Sequence, residues 1–188
     1  MTPTRQMPAG ISRFGPAGRI IARLAHFFAL FSGFVICGLA LVTLYGILTR
    51  ELAALAARFD LAMLSWIRPL SGDFELVGLG CGVAIAAALP WCQLVRGNIV
   101  VDLFTASCAP RTRERLTVAG DLMLAAIAIL LAWRTAVGAI QVLRFGETTM
   151  VLGIPVIWGY LPMVAAFALL APTALLTALE ALARSREA

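Results

Sequence analysis

The most constraining feature of this chain is the length of its charge-free segments. Residues 24–49, 76–95 and 148–179 contain no Asp, Glu, Lys or Arg, which makes runs of 26, 20 and 32 residues. A transmembrane helix needs about 20 mostly apolar residues. Charged residues make up 13% of the chain, about half the share of an average soluble domain. The sequence therefore predicts an all-α integral membrane protein, and the same apolar excess excludes intrinsic disorder.

A further apolar stretch follows the second run, with Asp121 near its start and Arg134 within it. It completes a set of four transmembrane helices in a single domain, residues 20–182. The spans are expected at about 20–48, 74–95, 116–143 and 154–179. Residues 1–19 contain three Pro, three Gly and three Arg and are expected to form a disordered cytoplasmic tail.

The segment 51–67 differs from the spans because it carries a narrow polar stripe. Glu51, Arg58 and Ser65 recur every seven residues, and apolar residues recur at steps of three and four. This pattern is typical of an amphipathic helix. With 17 residues and three charges it is a poor span, so it is expected to lie at the membrane interface in the first periplasmic loop. Residues 71–73 are then expected to turn the chain and cap the second span.

The distribution of Arg predicts the topology. The N-terminal segment up to Arg23 has four Arg, 96–115 has four and the C-terminal tail has two, whereas the loop after the third span has only Arg144. Cytoplasmic loops carry the excess of basic residues. Both termini are therefore expected in the cytoplasm of a multi-pass inner-membrane protein.

The sequence carries no pattern typical of an active site. Nucleotide-binding loops, zinc-protease helices and nucleophile elbows are all absent. His26 is the single histidine, which excludes a bis-histidine haem within the chain. We expect no enzymatic activity, no cofactor, no metal and no nucleic-acid partner. An accessory subunit is favoured, and a four-span oxidoreductase subunit or thiol oxidase using the four cysteines is the alternative.

Four stretches resemble the small membrane subunit of tripartite ATP-independent periplasmic (TRAP) transporters, the DctQ-like family. They are Arg50 at the end of the first span, SGDFELV at 71–77, LPWCQLVRGNIVVDLF at 89–104 and GETTMVLGIPVIWGY at 146–160. The resemblance covers most of residues 25–180. Asn98 stands where many members have His, and the stretch 51–68 is longer than expected.

The resemblance implies a complex with two protein partners. A periplasmic solute-binding protein would capture a substrate, typically an organic acid. A large, DctM-like membrane subunit would move it, driven by a sodium gradient. The small subunit would pack against the large one in the lipid bilayer and help to dock the binding protein.

Eight residues are candidates for structural or partner contacts: Arg50, Glu75, Arg96, Asp102, Arg134, Glu147, Thr148 and Pro155. The first four lie between the end of the first span and the connection that follows the second. Glu75 serves either as a helix N-terminal charge or as a partner of Arg50, Arg68 or the large subunit. Arg96 is read as a cytoplasmic anchor and Asp102 as a helix cap or an Arg partner.

The other four lie in the third span and near the start of the fourth. Arg134 either snorkels toward the periplasm or meets an acid, and we expect it to face protein. Glu147, Thr148 and Thr149 are read either as a solvated turn or as a docking contact for the binding protein. Pro155 is expected in the first turn of the last helix.

Overall fold

The computed structural model describes residues 15–59, 71–97 and 110–187. They form four helices: α1 (Gly15–Phe59), α2 (Asp73–Leu94), α3 (Pro110–Phe145) and α4 (Ile157–Glu187). All four are long and apolar enough to cross a membrane. The all-helical, four-span prediction is confirmed.

The separate interfacial helix is not observed. Residues 51–59 continue α1 without a break, while 60–67 lie outside the described residues. No Gly or Pro separates Leu48 from Phe59, so nothing in this stretch stops the helix. Residues 15–19, expected in the disordered tail, likewise belong to α1. At 45 residues and a rise of 1.5 Å per residue, α1 is about 68 Å long, roughly twice the hydrocarbon thickness.

The helices are arranged in the order α1, α2, α4, α3. α2 packs against α1 on one side and α4 on the other, and α4 also packs against α3. Among the described residues, α2 and α3 have no Cα atoms within 8 Å of each other, and the same is true of α1 and α3. α4 therefore separates the two helices that precede it.

Small residues make the contacts between the helices. Most of the buried apolar residues in the described part are Ala. The Ser32 hydroxyl on α1 donates to the Ala84 carbonyl on α2 at 2.7 Å. An ideal Cβ at Gly159 would lie 2.5 Å from Leu79. Larger apolar side chains point outward, such as Phe34 with 78% of its surface exposed. Close backbone approach with large side chains outside is typical of helices packed in lipid.

Candidate functional site: two polar ends and a groove between them

Polar side chains gather at the two ends of the helix layer. We call the end at which α2 begins the entry end. It also contains the C-terminal part of α1 and the α3–α4 loop, residues 146–156. We call the opposite end the exit end, where α2 and α4 finish and α3 begins. The candidate residues that the structure describes lie at the entry end, at the exit end or between the two ends.

Glu75 lies in the first turn of α2 and holds the α3–α4 loop. Its carboxylate oxygens accept hydrogen bonds from the backbone N–H groups of Val151 at 2.9 Å and Leu152 at 3.2 Å. The N–H of Met150 and the hydroxyl of Thr149 lie near the same carboxylate. Consecutive N–H groups that converge on one anion form a backbone nest. Glu75 is therefore the anion that organises this loop.

The loop also holds itself together. Thr148 and Pro155 form an isolated antiparallel bridge. Thr149 donates its N–H to the Ile154 carbonyl at 2.9 Å, and its hydroxyl accepts the Ile154 N–H at 3.0 Å. Pro155 lies two residues before α4, and its carbonyl accepts the N–H of Trp158 at 3.2 Å. The expected position of Pro155 in the first helical turn is therefore corrected to a position in the loop.

Gly72 allows the loop to approach α2. It is the N-cap of α2 with φ of 93°, and no side chain caps the helix. This backbone conformation favours glycine. A Cβ at Gly72 would lie 2.9 Å from Leu152 and 3.1 Å from Val151. Residues 71–73 therefore turn the chain as predicted, but the expected capping by a side chain does not occur.

Arg50 pairs with Asp73 rather than with Glu75. The Nη2 atom of Arg50 lies 2.6 Å from both carboxylate oxygens of Asp73. The Arg50 side chain is 54% exposed and that of Asp73 14%. Gly46 makes room for the carboxylate, because a Cβ there would lie 2.9 Å from Asp73 Oδ2. The pair joins α1 to the start of α2. Arg68, the other predicted partner, lies outside the described residues.

The exit end carries a buried polar cluster that the sequence analysis did not find. The side-chain amide of Gln93 donates to Asp121 Oδ1 and to the Thr177 hydroxyl, each at 2.8 Å. Gln93 is 3% exposed and Thr177 1%. The Thr177 hydroxyl donates in turn to the Ala174 carbonyl at 3.0 Å. Gln93 therefore connects α2 to both α3 and α4, although the backbones of α2 and α3 are not in contact.

Arg96 closes the same cluster. It adopts φ of 50° just after α2. Its Nη2 atom donates to the Thr177 carbonyl at 2.8 Å and lies 3.5 Å from Asp121 Oδ2. Arg96, for which an anchoring role at the cytoplasmic surface was predicted, binds the backbone of α4. Asp102 lies outside the described residues. The signal that could have located the cluster is one polar side chain at similar depth in each of three apolar helices.

Arg134 occupies neither end. It lines a groove of about 560 Å³ between α2 and α3, with α4 beneath. The groove is also lined by Gly78 and Gly82 of α2, Gly138 of α3, and Tyr160 and Met163 of α4. Arg134 itself is exposed. Within the described residues it has neither a hydrogen bond nor an ion pair.

A family model described as "Tripartite ATP-independent periplasmic transporters, DctQ component" matches residues 39–184. The match covers more than three quarters of the 188 residues. The chain belongs to the DctQ family. No curated protein and no solved structure matches it significantly. The chain is therefore a component of a TRAP transporter, embedded in a membrane by several helices.

The structure brings together three of the four stretches on which the resemblance to DctQ rests. Arg50 contacts the 71–77 stretch through Asp73. The 146–160 stretch contacts it through Glu75. In the fourth stretch, 89–104, Arg96 lies at the exit end. The described part of the DctQ pattern is thus concentrated at the entry end, where it forms the joint between α1, α2 and the α3–α4 loop.

Proposed function

We propose that this DctQ protein is the small membrane subunit that supports a large permease subunit in sodium-coupled uptake of an organic acid. A periplasmic binding protein would deliver the acid. The observation that carries the proposal is the family match over residues 39–184. The proposal assigns the chemistry of transport to the partners and a supporting role to this chain.

The distribution of polar groups favours an accessory role for this chain over a role as the transport pathway. Polar groups find their partners within the chain at three separate places: the Glu75 nest, the Arg50–Asp73 pair and the Gln93 cluster. Each one joins helices or holds a loop. Ion and substrate pathways in membranes are lined by ionisable side chains that face a cavity. Among the described residues that line the groove between α2 and α3, Arg134 is the one that carries a charge, and a single Arg is a poor pathway for sodium.

The family match also favours this proposal over the four-span oxidoreductase. Cys37 and Cys81 carry free thiols that are exposed on α1 and α2. Nothing in their surroundings favours thiol chemistry over packing against lipid.

The orientation is part of the proposal. Four spans place both termini on one side, and the Arg distribution favours the cytoplasm for that side. The entry end would then face the periplasm, where the binding protein is. A cysteine-free variant with single Cys at Ser71, Glu147 or Arg115 tests this. A membrane-impermeant maleimide added to intact cells should label the first two positions, and Arg115→Cys only after permeabilisation. The reverse labelling pattern would refute the orientation.

The function is tested by reconstitution. This chain, the large subunit and the binding protein would be purified and combined in proteoliposomes, with uptake of a panel of radiolabelled mono- and dicarboxylic acids as the readout. Uptake should require all three proteins and external sodium. Vesicles without this chain, and vesicles with potassium replacing sodium, are the controls. An unchanged rate of uptake in vesicles that lack this chain would contradict the proposed role.

A further inference from the structure

The groove between α2 and α3 combines open space with a charge deep in the membrane. Arg134 lies 13 residues after Asp121 and 11 before Phe145, so along the axis of α3 its Cα is about 20 Å from Asp121 at the exit end and about 16 Å from Phe145 at the entry end. Side chains in a helix tilt toward its N-terminus. Arg134 therefore tilts away from the nearer polar end, which disfavours snorkelling to that surface.

The four helices offer no acid at this depth within the part of the chain that the structure describes. Residues 76–95, 122–146 and 148–179 contain no Asp or Glu, and neither do residues 24–50 of α1. Asp121 is occupied by Gln93 and Arg96 at the exit end. Glu75 is occupied by the loop N–H groups at the entry end. A second copy of this chain would have the same shortage, so it could not neutralise Arg134.

The α2 wall of the groove is open to a close neighbour. A Cβ at Gly78 would meet nothing within 4 Å, whereas one at Gly138 would lie 3.0 Å from Tyr160. Gly82 faces Met163, with 3.6 Å between its Cβ position and the sulfur. Small residues let helix backbones approach each other in lipid. Gly78 has this property on a surface that the described residues leave uncovered.

We infer that this groove receives a transmembrane helix of the large subunit whose Asp or Glu forms an ion pair with Arg134. The inference rests on the proposed function, because that function supplies the partner. An isolated charge at this depth is costly, and a carboxylate in a neighbouring helix both neutralises it and fixes the register of the two subunits. A lipid phosphate is a poorer fit, because headgroups lie at the membrane surface and Arg134 does not.

The test is co-purification of the large subunit with tagged variants of this chain after co-expression. Arg134→Leu should lower the yield of large subunit by about tenfold or more, because truncating one partner of a buried charge pair costs at least that factor in affinity. Arg134→Lys should retain most of the yield. Gly78→Leu should lower it similarly by filling the groove. Gly33→Leu on α1, where a Cβ also meets nothing within 4 Å, is the matched control and should have no effect.

A charge swap identifies the acid. Arg134→Glu should abolish co-purification, and replacing one intramembrane Asp or Glu of the large subunit by Arg should restore it. The inference is overturned if Arg134→Leu and Gly78→Leu co-purify normally, or if no swap restores association. It is also overturned if the effect of Arg134→Leu occurs only in bilayers that contain anionic lipid, since the groove then holds a headgroup.

The proposed function and the pairing at Arg134 are contradicted by different outcomes of this experiment. If the unaltered chain retains no large subunit, the proposed function fails. If the unaltered chain and both groove variants retain it equally, only the pairing at Arg134 fails.

Discussion

The carboxylate of Glu75 accepts the backbone N–H of Val151 at 2.9 Å, across 76 positions of sequence. This bond joins the start of α2 to the loop before α4. It therefore links two helices that are neighbours in space but not in sequence. The loop therefore depends on a side chain outside it.

Removing this anion should loosen the loop without unfolding the helices. In Glu75→Ala the amides of Val151 and Leu152 lose their acceptor, and their hydrogen exchange should become several-fold faster. Glu75→Gln keeps one carbonyl oxygen and should show a smaller change. Glu147→Gln, an exposed side chain in the same loop, is the control. Unchanged exchange in Glu75→Ala would show that the loop holds its shape alone.

Gln93 should be important for stability although it is uncharged. Gln93→Leu removes the amide that donates to Asp121 Oδ1 and to the Thr177 hydroxyl in a buried site, a loss of about 1–3 kcal/mol even though Arg96 stays near Asp121 Oδ2. The free energy of unfolding in detergent measures it. Gln141→Leu, on an exposed surface of α3, should be close to neutral. Equal stability of the two variants would mean that water replaces the lost amide.

The Arg50–Asp73 pair should contribute modestly because Arg50 is half exposed. A double-mutant cycle with Arg50→Ala and Asp73→Ala should give a coupling energy of about 0.2–1 kcal/mol. The coupling should decrease as salt is added, because exposed charges are screened. A large coupling that salt does not change would indicate a pair shielded from water.

Packing between α2 and α4 should not tolerate a methyl group at Gly159. A Cβ there would lie 2.5 Å from Leu79, and such overpacking typically costs about 1–3 kcal/mol. Gly159→Ala should therefore lower the midpoint of thermal unfolding. Gly120→Ala on α3, where a Cβ meets nothing within 4 Å, should leave it unchanged or raise it. A stabilised Gly159→Ala would mean that Leu79 moves aside easily.

The docking hypothesis for residues 147–149 is sharpened by the structure. Thr149 holds the loop through Ile154, whereas Glu147 and Thr148 are exposed. The informative variant is therefore Glu147→Ala with Thr148→Ala. It should weaken uptake at low concentrations of binding protein and recover at high concentrations. Thr149→Ala, which disturbs the loop, should reduce uptake at both. Unchanged uptake at low concentration would remove the docking role.

What the sequence determined by itself follows from local physics. Apolar segments long enough to cross a bilayer must form helices there, because lipid offers no partner for backbone polar groups. The three charge-free runs and the apolar stretch that contains Arg134 therefore indicate four helices, and spacing alone places Arg134 far from Asp121. The sequence did not predict that α1 continues to Phe59. An amphipathic pattern shows which side of a helix is polar, but it does not show where the preceding helix ends.

Only the tertiary structure decided which polar groups meet. Arg50 was a predicted partner of Glu75. In the structure Arg50 pairs with Asp73, and the Glu75 carboxylate instead binds the backbone amides of the loop. Gln93 and Thr177 gained importance because α4 lies between α2 and α3. These pairings depend on distances of a few ångströms between segments tens of residues apart, which helix packing sets and hydropathy does not record. The same packing leaves Arg134 in an open groove.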